Sequence, residues 1–284
     1  MKEILRFALD DFIKQVQCYN LNMKKVRIDQ LLVERGLAES RAQAQRLVMA
    51  GQVRIAGQIV PKPGSKVLPD SDIAVDQGPK YASRGGEKLE AALNAFQVQV
   101  EGLVCADVGA STGGFTDALL QNGAARVYAI DVGQGILHWK LRKDPHVIVM
   151  EGTNARYVER LPEPVRLITV DASFISLKIL LPVTRGWYPE EGGEAVVLIK
   201  PQFEAGRVEV SRGEGVIREP EVHKKVLMDV LQFAQNEGYS LLGLIRSPLQ
   251  GPKGNIEFLA HLGYTIIRSK GKPLGEMVAK VVGA

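Results

Sequence analysis

Cysteine is nearly absent from this 284-residue chain. Its two cysteines, Cys18 and Cys105, lie far apart and have no partners at metal-ligand or redox-motif spacing. That excludes a disulfide scaffold and a zinc site, and it fits a reducing cytoplasm. Long apolar runs are missing too. Ala195 to Ile199 is only strand-length, whereas a membrane span needs roughly 20 apolar residues, so the chain reads as a soluble protein. Internal repeats and low-complexity tracts are also lacking. Residues 1–22 begin like an apolar leader, but Asp10 and Asp11 interrupt them and no small-residue cleavage site follows, which argues against secretion. Met23, Lys24 and Lys25 read as a second start. Residues 1–22 are therefore expected to be an N-terminal tail, peripheral and amphipathic or an over-extended reading frame, and carry no weight in the functional reading.

The charge that is present is unevenly spread. Nine basic residues stand against three acidic ones between Lys24 and Lys66, a local net charge of +6 where the whole chain carries +4. A small basic region on a near-neutral body is the footprint of a phosphate-binding module, although a solvated basic face has the same composition.

Within that region, Ile28, Leu31, Leu32 and Leu37 have helical spacing, with Gly36 placed to stop the helix. Ser40 is a natural N-cap for a second helix through Ala44, Leu47 and Val48 to Gly51. Val53 to Val60 alternates around Gly57 like a hairpin, and Ile73 to Val75 forms another strand. The residues from Arg27 to Leu32, Arg35-Gly-Leu, Ser40-Arg-Ala-Gln-Ala and Gly51-Gln-Val-Arg-Ile-Ala-Gly resemble the RNA-binding domain named after ribosomal protein S-four. The resemblance implies an α+β module over residues 23–84 that faces structured RNA, with Arg41, Arg46 and Arg54 as phosphate contacts.

Beyond Gly85-Gly86 the pattern changes. A helix from Lys88 to Phe96 is followed by short apolar runs starting at Leu103, Val127, Val147, Leu167, Ala195, Leu241 and Ile256, with helical stretches between most of them. Such alternation predicts an α/β fold with a doubly wound sheet and a ligand beyond the carboxyl ends of its strands. The first strand runs into Asp107-Val-Gly-Ala-Ser-Thr-Gly-Gly-Phe115, where Gly109, Gly113 and Gly114 let backbone approach a ligand and the next helix offers free N–H groups. Ser111 occupies the second glycine position of the strict dinucleotide pattern, a departure from the nicotinamide-binding motif. Asp131, ending the second strand, is placed to accept hydrogen bonds from a ribose diol. The run resembles the S-adenosylmethionine motif of FtsJ-like methyltransferases. That likeness implies a Rossmann-like methyltransferase domain over residues 85–268 and cofactor contacts from Asp107, Gly109, Ser111, Gly113, Gly114, Phe115, Asp131, Thr153 and Asn154.

Four charged residues end elements that should open on one cleft: Lys88, Asp171, Lys200 and Glu257. A sugar hydroxyl is a poor nucleophile until its proton is being removed, and a lysine removes it only if its pKa falls from about 10.4 towards 7 or 8. The lysine–aspartate–lysine–glutamate order is similar to the tetrad of FtsJ-like ribose 2′-O-methyltransferases. Joined to an S-four module, it resembles the TlyA family, also labelled hemolysin A. The family implies methylation of cytidine 2′-hydroxyls in ribosomal RNA or ribosomal subunits. Lys200, ending the Ala195 to Ile199 run ahead of Pro201 at a strand's carboxyl end, is expected to be the base. A pore-forming hemolysin and a non-catalytic RNA-binding assembly factor are the alternatives. Residues 269–284 match no motif and are expected to be a C-terminal tail.

Overall fold

A computed structural model describes residues 24–76, 78–206, 215–265 and 273–283. The expected tail 1–22 lies outside them. The chain divides into two compact units between Lys80 and Tyr81.

In the first unit, β1 (Val26–Arg27) leads into α1 (Ile28–Glu34), and α2 (Arg41–Met49) follows. Strands β2 (Val53–Ile55), β3 (Gln58–Ile59), β4 (Lys66–Val67) and β5 (Ile73–Val75) complete it. β2 pairs with β3 and β5, and β1 pairs with β4, all antiparallel. Ser40 caps α2 by accepting from the Gln43 amide at 3.3 Å. Ala56 and Gly57 both have positive φ, the backbone that a two-residue hairpin needs to match strand twist. Ile28, Leu32, Ala44, Val48 and Val53 form the core.

One carboxylate sits inside this basic unit. Asp29 is fully buried and accepts from Arg27 Nε and Nη2 at 2.9 and 3.0 Å, from Arg41 Nε at 3.0 Å and from Gln45 Nε2 at 3.0 Å. The Arg27 guanidinium, ahead of Gln45 and Arg41, holds its carboxyl far below the usual carboxylate range.

The second unit is built on a seven-stranded sheet. Its parallel strands are β6 (Val104–Val108), β7 (Arg126–Ile130), β8 (Val147–Met150), β9 (Leu167–Val170) and β10 (Gly193–Ile199). β11 (Tyr239–Arg246) and β12 (Phe258–Tyr264) complete the order β11-β12-β10-β9-β6-β7-β8, with β12 antiparallel to both neighbours. Successive side chains in a strand face opposite sides. Val197 and Ile199 therefore join one core with Leu180 and Leu227, while Val196 and Leu198 join another with Leu89 and Leu119. The first core is covered by α6 (Leu177–Thr184) and α8 (Pro220–Asn236), the second by α3 (Gly85–Phe96) and α4 (Gly114–Gln121). Short helices α5 (Trp139–Arg142) and α7 (Pro201–Glu204) stand in the loops after β7 and β10. Strand order reverses between β6 and β9, the point at which open α/β sheets leave a crevice for ligand.

Two boundaries differ from the sequence expectation. Tyr81 is buried against Leu89 and Leu93, and a Cβ at Gly86 would lie within 2.5 Å of its ring, so Tyr81 to Arg84 pack with the second unit. The supposed C-terminal tail contains α9 (Leu274–Val282), which puts Leu274, Val278 and Val281 into the core beside α8 and β11. It is structural.

Replacing Asp29 with alanine should lower the opening free energy of residues 26–75 by about 2 kcal/mol, the scale of hydrogen bonds to a charged group. Because its carboxyl is held low in the folded state, the contribution is complete above the unfolded value of about 3.8 and is lost as pH falls further. Amide exchange followed by mass spectrometry should show wild-type protection in this segment falling on acidification below pH ~4, with the variant's protection already roughly 30-fold lower at neutral pH. Equal protection in both proteins at neutral pH would contradict the reading.

Candidate active site

The site grows from the crevice between β6 and β9. The Asp171 amide donates to the Val108 carbonyl at 2.9 Å, carrying the β6–β9 ladder one residue past β9, and the chain then turns away on both sides. On the β6 side the turn is Gly109, at φ +85°, where a Cβ would lie 2.7 Å from the Asp171 carbonyl oxygen. No other residue fits so close an approach at that dihedral. Ser111 continues the loop at φ +50° and donates its amide to Asp131 Oδ2 at 2.8 Å. Asp131 Oδ1 accepts from the Gly133 amide at 2.7 Å, so the carboxylate is held at the end of β7 by two backbone donors.

These residues line a cavity of about 540 Å³ together with Thr153, Asn154 and apolar side chains that include Val132, Ile136 and Ile179. The 132–137 loop keeps its shape through Glu151, whose carboxylate accepts from the amides of Gly135, Ile136 and Leu137 and from Arg142 Nη2 at 2.7 and 2.8 Å. Sequence reasoning missed Glu151 because its partners belong to a loop and a four-residue helix with no periodic signal.

Asp107, Gly113, Gly114 and Phe115, all expected at the cofactor, do not line this cavity. Asp107 is fully buried, lines none of these cavities, and accepts from Thr116 Oγ1 at 2.7 Å and Thr169 Oγ1 at 3.0 Å. It ties β6 to β9 and to α4, and burial pushes its carboxyl up to about 7 against those hydrogen bonds. Gly113 leaves room for Leu141 and Leu137, since a Cβ there would lie 2.2 and 2.9 Å from their terminal carbons. Gly114 does the same for Ser83 and the Gly85-Gly86 backbone, and it lines a second cavity of about 280 Å³ with the buried Phe115.

That second cavity brings the four charged residues towards one another. Lys88, on α3, and Lys200, at the end of β10, are 9% and 8% exposed and both line it, as does Asp171. Lys88 Nζ donates to Glu257 Oε2 at 2.6 Å, and Glu257 is 1% exposed. Lys200 Nζ lies 2.6 Å from Asp171 Oδ1 and donates to Ser173 Oγ at 3.0 Å. Burial pushes the Asp171 carboxyl above the usual range, with Lys200 and then Lys88 opposing the shift. All four residues line a third cavity of about 520 Å³, where Gln202 Nε2 donates to Glu257 Oε1 at 3.2 Å. Asp171 and Ser173 border all three cavities.

Ser173 and Gln202 were not singled out from sequence, although each lies two residues from a tetrad member. Phe174 was missed as well. It is 90% exposed at φ +62°, uncommon for a bulky residue, with its ring 4.9 Å from that of Phe203.

The three arginines named for RNA contact differ. Arg46 is exposed, Arg54 donates to the Gly57 carbonyl at 3.3 Å, and Arg41 is tied to Asp29. Only part of the Arg41 guanidinium is left to meet a phosphate.

Comparison with known proteins gives the family. The FtsJ-like methyltransferase model matches residues 81–264 and the S4 domain model matches residues 26–73. A Bacillus subtilis protein provisionally named an rRNA methyltransferase is 47% identical, the alignment covering 90% of this chain and 92% of that protein. The 16S/23S rRNA (cytidine-2′-O)-methyltransferase TlyA of Mycobacterium tuberculosis is 44% identical, covering 84% and 90%. A solved structure of a provisionally named hemolysin from Streptococcus thermophilus is 46% identical with a TM-score of 0.68, covering 91% of this chain and 96% of that one. With most of its length matched in this way, the chain belongs to the FtsJ-like methyltransferase family, in the TlyA or hemolysin A branch that joins the catalytic unit to an S-four domain.

Proposed function

We propose that the chain transfers a methyl group from S-adenosylmethionine to the ribose 2′-hydroxyl of a cytidine in ribosomal RNA, in the cytoplasm. The observation that carries this reading is the pairing of Lys88 with Glu257 and of Lys200 with Asp171 beside a nucleotide-sized cavity. The residues present fit the cofactor. Gly109 leaves a cradle that a Cβ would fill, Asp131 offers carboxylate oxygens to a ribose diol, and Val132, Ile136 and Ile179 suit the faces of an adenine. Gly109, Ser111, Asp131, Thr153 and Asn154 would hold it, and it supplies an electrophilic methyl group on a sulfonium when bound.

Lys200 Nζ, in its neutral form after giving its own proton to solvent, takes the proton of the 2′-hydroxyl as its oxygen attacks in line. Ser173 aims that nitrogen by accepting a hydrogen bond from it, and the Asp171 carboxylate, 2.6 Å away, is the counter-charge of the ammonium that forms. Lys88, held by Glu257, contributes positive charge on the same cavity wall. The basic first unit holds structured RNA through Arg46 and Arg54, with Arg41 contributing what Asp29 leaves free. The hemolysin name belongs to a relative. No helix among the described residues is long and apolar enough to cross a membrane, and nothing in the site favours a pore.

Replacing Asp131 with alanine removes the acceptor for the ribose diol and should weaken S-adenosylmethionine roughly tenfold, the scale of a charge-assisted hydrogen bond. Asp107→Asn, which touches no cavity, should leave affinity near wild type. Calorimetry on both variants decides, and equal binding by wild type and Asp131→Ala would remove the cofactor assignment.

Lys200→Ala should slow single-turnover methyl transfer by roughly 10² to 10⁴, the contribution of a positioned acid–base group, with cofactor affinity unchanged. Higher pH should not restore the rate. At saturating RNA and cofactor, a rate within about threefold of wild type would show that Lys200 is not the base, since the loss of such a group exceeds that many times over.

A further inference from the structure

The tetrad accounts for chemistry at the ribose and leaves the choice of base open. Gln202 follows Lys200 by two residues, in the Pro201–Glu204 helix, and lines the cavity that also holds Lys88, Lys200 and Glu257. Its Nε2 donates to Glu257 Oε1 at 3.2 Å. Its Oε1 is buried and meets no donor among the described residues. An ionised carboxylate only accepts hydrogen bonds, so Glu257 fixes the amide one way round, with the NH₂ group towards itself and the carbonyl left over. A glutamine free to turn could offer either a donor or an acceptor. This one offers an acceptor alone. Buried polar atoms are nearly always paired, and an unpaired one beside a reactive cluster calls for a donor from outside the chain.

We infer that Gln202 Oε1 reads the target base, accepting a hydrogen bond from the 4-amino group of cytosine. The inference rests on the proposed ribose methylation and adds the residue that selects cytidine. Cytosine presents a donor at its 4-position where uracil presents an acceptor. Uracil there would set two acceptors face to face and leave both unpaired. The arrangement also links base to chemistry, because Glu257 holds Lys88 through Oε2 and Gln202 through Oε1. A correct base thus steadies the carboxylate that positions a tetrad lysine.

The test uses the full chain and a ribosomal RNA substrate whose modified cytidine has been mapped with the wild-type protein. Three versions carry cytidine, uridine or pyrimidin-2-one riboside at that position, the last lacking only the 4-amino group. Single-turnover transfer from S-adenosylmethionine should favour cytidine over both others by roughly 10- to 100-fold in the wild type, the discrimination of a good base-edge contact. Gln202→Met should bring these ratios close to one, whatever overall slowing follows from losing the bond to Glu257. Stabilisation by S-adenosylmethionine, measured on the same preparations, establishes that the variant is folded, and Gln202→Ala replaces it if it is not. A cytidine-to-uridine ratio unchanged by the substitution, or a wild type that methylates all three alike, would overturn the assignment and leave the proposed function standing. A wild type that methylates no ribose would overturn both.

Discussion

Two lysines stand at the edge of an apolar α/β core, and neither can stay there without a counter-charge. Moving an ammonium out of water costs several kcal/mol, and an uncompensated one would swell the site or draw water into it. Here each lysine has its own carboxylate, Lys88 with Glu257 and Lys200 with Asp171, each pair at 2.6 Å. The pairs join elements distant in sequence: α3 to the start of β12, and the end of β10 to the end of β9. Helix position, strand order and the antiparallel entry of β12 all have to be right before the four groups meet. The charges therefore act as a register check on the fold as well as the chemistry it carries.

The glycine-rich loop answers a second constraint, close approach. Gly109 lets backbone pass the end of β9, and Gly113 and Gly114 let α4 settle against Leu141 and Ser83. Only the first of these gaps opens onto the cavity lined by Asp131 and Thr153. Asp107 works behind the loop, where its buried carboxyl joins β6, β9 and α4 through two threonines. The loop is thus shaped as much by what packs behind it as by what it would bind.

Much of this was legible in the sequence, and the rest was not for definite reasons. Parallel strands buried on both faces read as continuous apolar runs, so β6, β7, β9 and β10 stood out, and the half-exposed edge strand β8 carries an apolar run as well. Strand direction leaves no trace in such a run, and nothing marked β12 as antiparallel. Charges ending apolar strands flagged Asp171 and Lys200, and the structure brings them together. A motif says that small residues are needed but not what lies against them, and at Gly113 Leu141 and Leu137 fill the space that a Cβ would take. Arg41 likewise looked free because its partner, Asp29, sits twelve residues back on another helix. The last helix is a different case. Leu274, Val278 and Val281 have helical spacing, and the signal was there to be read in a segment taken for a tail.

The central claim is that this cluster moves a methyl group onto a ribose oxygen. The most direct measurement incubates the full chain with ribosomal subunits and S-adenosylmethionine bearing a trideuterated methyl group, digests the RNA to nucleosides and weighs them. The account predicts that the label appears on the ribose of cytidine and stays with the sugar when the base is released. Label on a base, or none in RNA while the protein binds S-adenosylmethionine, would contradict it.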